Sequence, residues 1–118
     1  MPKYLVAVRY TAEGAQGVMR EGGSSRRRAA QQVIESVGGT LECFYFAYGE
    51  TDMYAIADFP NELGPVAVSL AVAASGGSVM STIPLLTPEQ MDTAAGMAVT
   101  YRPPGKEAPA GPSDADAA

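Results

Sequence analysis

Three glycine pairs, Gly22-Gly23, Gly38-Gly39 and Gly76-Gly77, bound the segments that this chain can organise. Glycine loses the most backbone freedom on ordering and readily leaves helical and strand geometry, so each pair is a break. Ahead of the first, residues 3–10 alternate Tyr4-Val6-Val8-Tyr10 against Leu5-Ala7-Arg9, the period of a strand. The stretch that follows is ambiguous: Thr11 can cap a short helix to residue 20, but Gly14 and Gly17 weaken it. Between the first and second pairs, Ser24 or Ser25 caps a helix running to residue 37, with Ala30, Val33, Ile34 and Val37 as its apolar stripe.

Residues 40–48 and 51–59 read as two strands joined through Gly49-Glu50, a glycine-first loop suited to a type II′ hairpin. A second long helix carries Leu63, Val66, Ala67, Leu70, Ala71 and Ala74 on one face, with Gly64 as N-cap and Pro65 first in the helix. Residues 78–86 form a fourth strand, which Pro84 confines to an edge. Thr87-Pro88-Glu89-Gln90 then opens a short helix ending near residue 98. From residue 103 the chain is proline, glycine, alanine and acid, the composition of a disordered tail. The expected organisation is a domain over 1–102 and a tail over 103–118.

The order β-α-β-β-α-β with a C-terminal helix predicts an α+β, ferredoxin-like sandwich: one four-stranded antiparallel sheet, with strands 1 and 3 central and helices on one face. Strict alternation puts Phe44, Phe46, Met53 and Ala55 on one side, and Leu41, Cys43, Tyr45 and Ile56 on the other. Both faces are apolar, so the second needs a cover, and another copy of the chain is the simplest one. A homodimer or larger homo-oligomer is expected.

Composition narrows the chemistry. The chain has 118 residues, no histidine, no tryptophan and one cysteine, Cys43. No Ser-His-Asp or Cys-His nucleophile can be built, nor an ordinary zinc or haem site, and an internal disulfide is impossible. No cofactor or metal is expected. A net charge of −5 disfavours nucleic acid, which requires a basic face. The chain enters its first strand without signal-peptide regions, and its longest largely apolar stretch, 66–74, is too short to cross a bilayer. A cytoplasmic protein without membrane attachment, Cys43 reduced, is the expectation.

The wording of several segments resembles the GYD-domain family, small bacterial proteins of the dimeric α/β-barrel kind. The matching pieces are Met1-Pro2-Lys3-Tyr4-Leu5-Val6, Arg9-Tyr10-Thr11, Gly22-Gly23-Ser24-Ser25-Arg26-Arg27, Gly38-Gly39, Phe44-Tyr45-Phe46, Ala73-Ala74-Ser75-Gly76 and Leu86-Thr87-Pro88-Glu89. The resemblance implies the fold and dimerisation, and no particular activity. At the hairpin the chain reads Gly49-Glu50-Thr51-Asp52; threonine stands in place of the family's tyrosine, which puts any role tied to that tyrosine in doubt.

Two constellations could carry chemistry. In the first, Ser24, Ser25, Arg26, Arg27 and Arg28 follow two glycines at a helix start, where free N–H groups, hydroxyls and guanidiniums suit a phosphate or carboxylate. The plain alternative is a solvated basic turn or a contact with acids of another chain. In the second, a two-residue hairpin loop sets Tyr45 against Tyr54 and Ala47 against Asp52, with Arg9 of the antiparallel first strand close to Asp52. An Arg9–Asp52 pair beside two phenols could line a pocket, the phenols donating hydrogen bonds and Asp52 acting as a base. The plain alternative is a structural ion pair. Two functions follow: a non-catalytic homo-oligomeric module binding a small molecule or a protein, or a cofactor-free oxygenase, isomerase or dehydratase acting on an aromatic or enol substrate. The missing histidine favours the first.

Overall fold

The structure, a computed structural model, describes residues 1–107. Its elements in chain order are β1 (Lys3–Tyr10), α1 (Ala12–Glu21), α2 (Gly23–Ser36), β2 (Thr40–Phe46), β3 (Met53–Asp58), α3 (Leu63–Ser75), β4 (Ser78–Leu85) and α4 (Pro88–Ala95). The four strands form one antiparallel sheet in the order β2-β3-β1-β4. The fold is α+β, with β1 and β3 central and the proline-bearing β4 at an edge, as the sequence predicts. No helix among the described residues is long and apolar enough to cross a membrane.

Two compact units make up the chain, divided between Leu85 and Leu86. The second contains α4, whose start is a complete capping box: Thr87 accepts from Gln90 N–H, and the Gln90 side chain accepts from Thr87 N–H. Residues 103–107 hold a turn closed by Lys106 N–H on Pro103 O at 3.1 Å. The rest of the expected tail, 108–118, lies outside the described residues.

In the first unit, the ambiguous stretch is a helix. Thr11 caps α1 through its hydroxyl, which accepts from Gly14 N–H at 3.1 Å. That end also docks on the α3–β4 turn, where Thr11 N–H donates to Gly77 O at 3.1 Å. Gly14 is needed there, since a Cβ on it would stand 1.8 Å from Gly77 O.

The helix-facing side of the sheet carries the core. Tyr4, Val6 and Val8 of β1 and Met53, Ala55 and Ala57 of β3 are buried there with Phe59, Ile34 of α2 and Val68 of α3. Tyr4 and Phe59 meet edge to face at 5.6 Å.

Four local expectations need correction. A bulge between Leu41 and Cys43 inserts Glu42, which moves Leu41 onto the core side with Ala57 and leaves Cys43 and Tyr45 on the other. Helix α2 begins at Gly23 with Gly22 as its cap at φ 83°, so Ser24 and Ser25 fall inside its first turn and no side chain caps it. Helix α3 begins two residues early, with Glu62 at its cap and Asn61 Oδ1 accepting from Leu63 N–H at 2.9 Å. Pro65 still lies in the first turn, where a missing N–H costs nothing. The α3 stripe also differs from expectation. Gly64, Pro65, Val68 and Val72 face inward, while Leu63, Val66 and Leu70 are exposed.

Candidate functional site

The register brings together only part of the expected tyrosine-aspartate-arginine cluster. Tyr45 stands opposite Tyr54 and Cys43 opposite Ile56, on the face away from the helices. Both phenols are exposed, and Cys43 is a half-buried free thiol. Asp52 does not join them. Strand β3 begins only at Met53, so Tyr10 N–H at the far end of β1 has no strand partner on that side. The Asp52 carboxylate accepts from it at 2.8 Å, and Asp52 N–H donates to Val8 O at 2.9 Å. The carboxylate thus extends the sheet by one charge-assisted bond. Arg9 is exposed and pairs in register with Val79 of β4. No Arg9–Asp52 ion pair forms among the described residues.

The basic turn is likewise dispersed. Ser24, Arg27 and Arg28 are exposed, and Ser25 is half-buried. Arg26 is the member that turns toward the sheet, and its Nη1 donates to Glu21 Oε1 at 3.0 Å. Glu21, at the end of α1, is a carboxylate partner that sequence spacing did not suggest.

The feature that sequence reasoning missed is a cavity of about 260 Å³ under the helices. Val6, Val8, Met53 and Ala55 form its floor, and Ala30 and Val33 of α2 face Ala71 and Val72 of α3 across it. The small side chains of half-buried Ala30, and of Ala71 on the exposed rim, leave room that larger side chains would fill. These alanines were the available signal, but such an alanine reads equally well as close helix packing.

The polar groups of this cavity gather at one end. Tyr10, Arg26, Ser75 and Ser78 line it there, and the same four line a second hollow of about 250 Å³ with Gly14, Gly17 and Glu21. They therefore stand where the apolar interior meets the surface. Burial raises the Tyr10 phenol above its ordinary pKa, while the positive charge of nearby Arg26 pulls the other way. The phenol stays protonated at neutral pH and can donate. The Ser75 hydroxyl is already engaged, donating to Val72 O at 2.7 Å and accepting from Gly77 N–H at 3.3 Å. Among the described residues no carboxylate or thiol lines the interior, and the arrangement can hold and orient a molecule. Among the described residues, no three His, Cys, Asp or Glu side chains are grouped to hold a metal ion.

No curated protein and no solved structure matches the chain. A family model described as the GYD domain matches residues 4–95, from β1 through α4. That span takes in every strand of the sheet and both helices that wall the cavity, so the chain belongs to the GYD domain family.

Proposed function

We propose that this domain is a non-catalytic homo-oligomeric module that binds a small molecule between its helices and its sheet. The observation that carries the reading is the 260 Å³ cavity, apolar along its length and polar at one end. Specific small-molecule sites have this form: an apolar concavity with a few polar groups to set orientation. The enzyme reading finds less support. Of its four residues, Tyr45 and Tyr54 share the open sheet face, while the Asp52 carboxylate is bound to a backbone N–H and Arg9 does not pair with it.

Homo-oligomerisation belongs to the same proposal. Leu5, Ala7, Ile56, Cys43, Tyr45, Tyr54, Val79 and Ile83 alternate onto the face opposite the core, and Tyr45 is 69% and Val79 65% exposed. A second copy would cover this face in an isologous contact, for which a total of about 1,600 Å² is ordinary.

Methyl NMR tests the cavity. Tetralin, a neutral bicyclic hydrocarbon, should shift the methyl signals of Val6, Val8 and Val33. The shifts should vanish in Ala30→Leu, which enlarges a half-buried residue of the cavity wall. If tetralin and polar molecules of its size all leave these methyls unmoved, the small-molecule reading is wrong.

A further inference from the structure

Resting on the reading of the cavity as a binding site, we infer that its ligand is a neutral molecule of about ten non-hydrogen atoms, apolar except at one end, where an oxygen accepts a hydrogen bond from the Tyr10 phenol. Three observations lead there. The first is size. A 150 Å³ apolar cavity accepts benzene, so 260 Å³ suits a fused bicycle or a short branched chain of similar bulk.

The second is polarity. The floor and both helical walls offer only carbon and methionine sulfur, so a polar group anywhere but at the mouth would lose its water without replacement. At the mouth, Ser75 is committed to Val72 O and Gly77 N–H. The Tyr10 hydroxyl lines the mouth and makes no hydrogen bond among the described residues, which leaves its proton for a ligand oxygen.

The third is charge. Arg26 is the one cation lining the cavity among the described residues, and Glu21 already neutralises it at 3.0 Å. The Asp52 carboxylate is held on the backbone N–H of Tyr10 and does not line the cavity. A carboxylate or phosphate entering the mouth would meet Glu21 and an arginine already paired with it. A neutral carbonyl, ether or hydroxyl oxygen meets a donor and no opposing charge.

Three probes of similar bulk separate the outcomes: 1-tetralone, which is neutral with one carbonyl; tetralin, its hydrocarbon counterpart; and 1-naphthoate, an anion. Titration followed by the Val6 and Val33 methyls should give 1-tetralone about a tenfold tighter dissociation constant than tetralin, the ordinary yield of one hydrogen bond. Naphthoate should bind more weakly than 1-tetralone. In Tyr10→Phe the tetralone-to-tetralin ratio should fall to about one while tetralin binding is kept. Naphthoate binding most tightly, or a ratio unchanged in Tyr10→Phe, would overturn the neutral-ligand inference and leave the cavity reading standing. Failure of all three probes to move the methyls would overturn both. The order of the three probes on the unaltered protein decides the matter even if the variant folds poorly.

Discussion

The two faces of the sheet are built from similar residues and meet different fates. On the helix side, Val6, Val8, Met53, Ala55 and Ala57 are buried beneath α2 and α3. On the other side, Leu5, Ala7, Ile56, Tyr54 and Ile83 occupy alternate positions of the same strands, and Tyr54 and Ile83 remain over 40% exposed. Side-chain chemistry alone does not distinguish the faces. The difference lies in what the connections do: α2 and α3 cross the sheet on one side, and the chain between β1 and β4 supplies nothing for the other. Apolar strand patterning therefore says that a face needs covering, and the topology says whether its own chain does so.

The largest effect that tests this contrast is at Phe59, which is fully buried against Tyr4. Phe59→Ala should lower unfolding free energy by about 3–5 kcal/mol, read from urea melts. Ile56→Ala on the open face should cost far less when measured at concentrations that keep the chain monomeric. Equal losses would mean that the open face is as tightly packed as the core.

A second test acts on the open face directly. Leu5→Asp combined with Ile56→Asp places four carboxylates at the centre of a two-copy contact, and light scattering should then show the monomer mass where the parent shows at least twice that. At protein concentrations a hundredfold above the dissociation constant, losing the partner also forfeits about 2.7 kcal/mol of apparent stability. A parent already monomeric at micromolar concentration would refute the second-copy cover.

Two glycines of α1 supply a smaller contrast between a packed and an open surface. Gly14→Ala would drive its Cβ into Gly77 O and should destabilise by more than about 1 kcal/mol. At Gly17 the nearest atom to an added Cβ is Arg20 Nη2 at 3.9 Å. Gly17→Ala should therefore stabilise by up to about 1 kcal/mol through helix propensity alone. Thermal melts of both variants check the signs, which should be opposite.

How far the sequence speaks follows from these same residues. Alternation in β1, the Tyr45–Tyr54 register and the edge position forced by Pro84 are local rules, and the structure keeps them. Leu41 breaks the rule because one inserted residue, Glu42, reverses the parity of everything before it, and no pattern marks where a bulge will fall. Helix α3 has no charged residue from Leu63 to Ser75, so periodicity could not say which apolar stripe faces inward. The stripe with the larger side chains is the exposed one, because Gly64 and Pro65 pack where Phe59 and Val37 leave little room. The site was less legible still. Arg26, within the basic turn, does reach the candidate site, but what fixes its role is Glu21 and Tyr10, which come together only through the packing of α1 and α2 on β1.

The smallest expected effect concerns the boundary between the buried and open regions, at Tyr10. Burial at the cavity mouth raises its pKa above the ordinary 10.0. The unfolded chain loses the phenol proton near that ordinary value, while the folded chain holds it longer. Above pH 10 the folded state thus binds more protons than the unfolded state, and stability falls as pH rises. Below about pH 10 both states carry the proton, and the contribution is fully present. Tyr10→Phe has no proton to lose. Its urea midpoint should run parallel to that of the parent from pH 7 to 9 and decline less steeply from pH 10 upward. The difference will be small because the ring is only half-buried and Arg26 opposes the shift. Parallel decline of both proteins through that window would mean that the phenol faces water, and a cavity mouth without a buried Tyr10 would lose its hydrogen-bond donor.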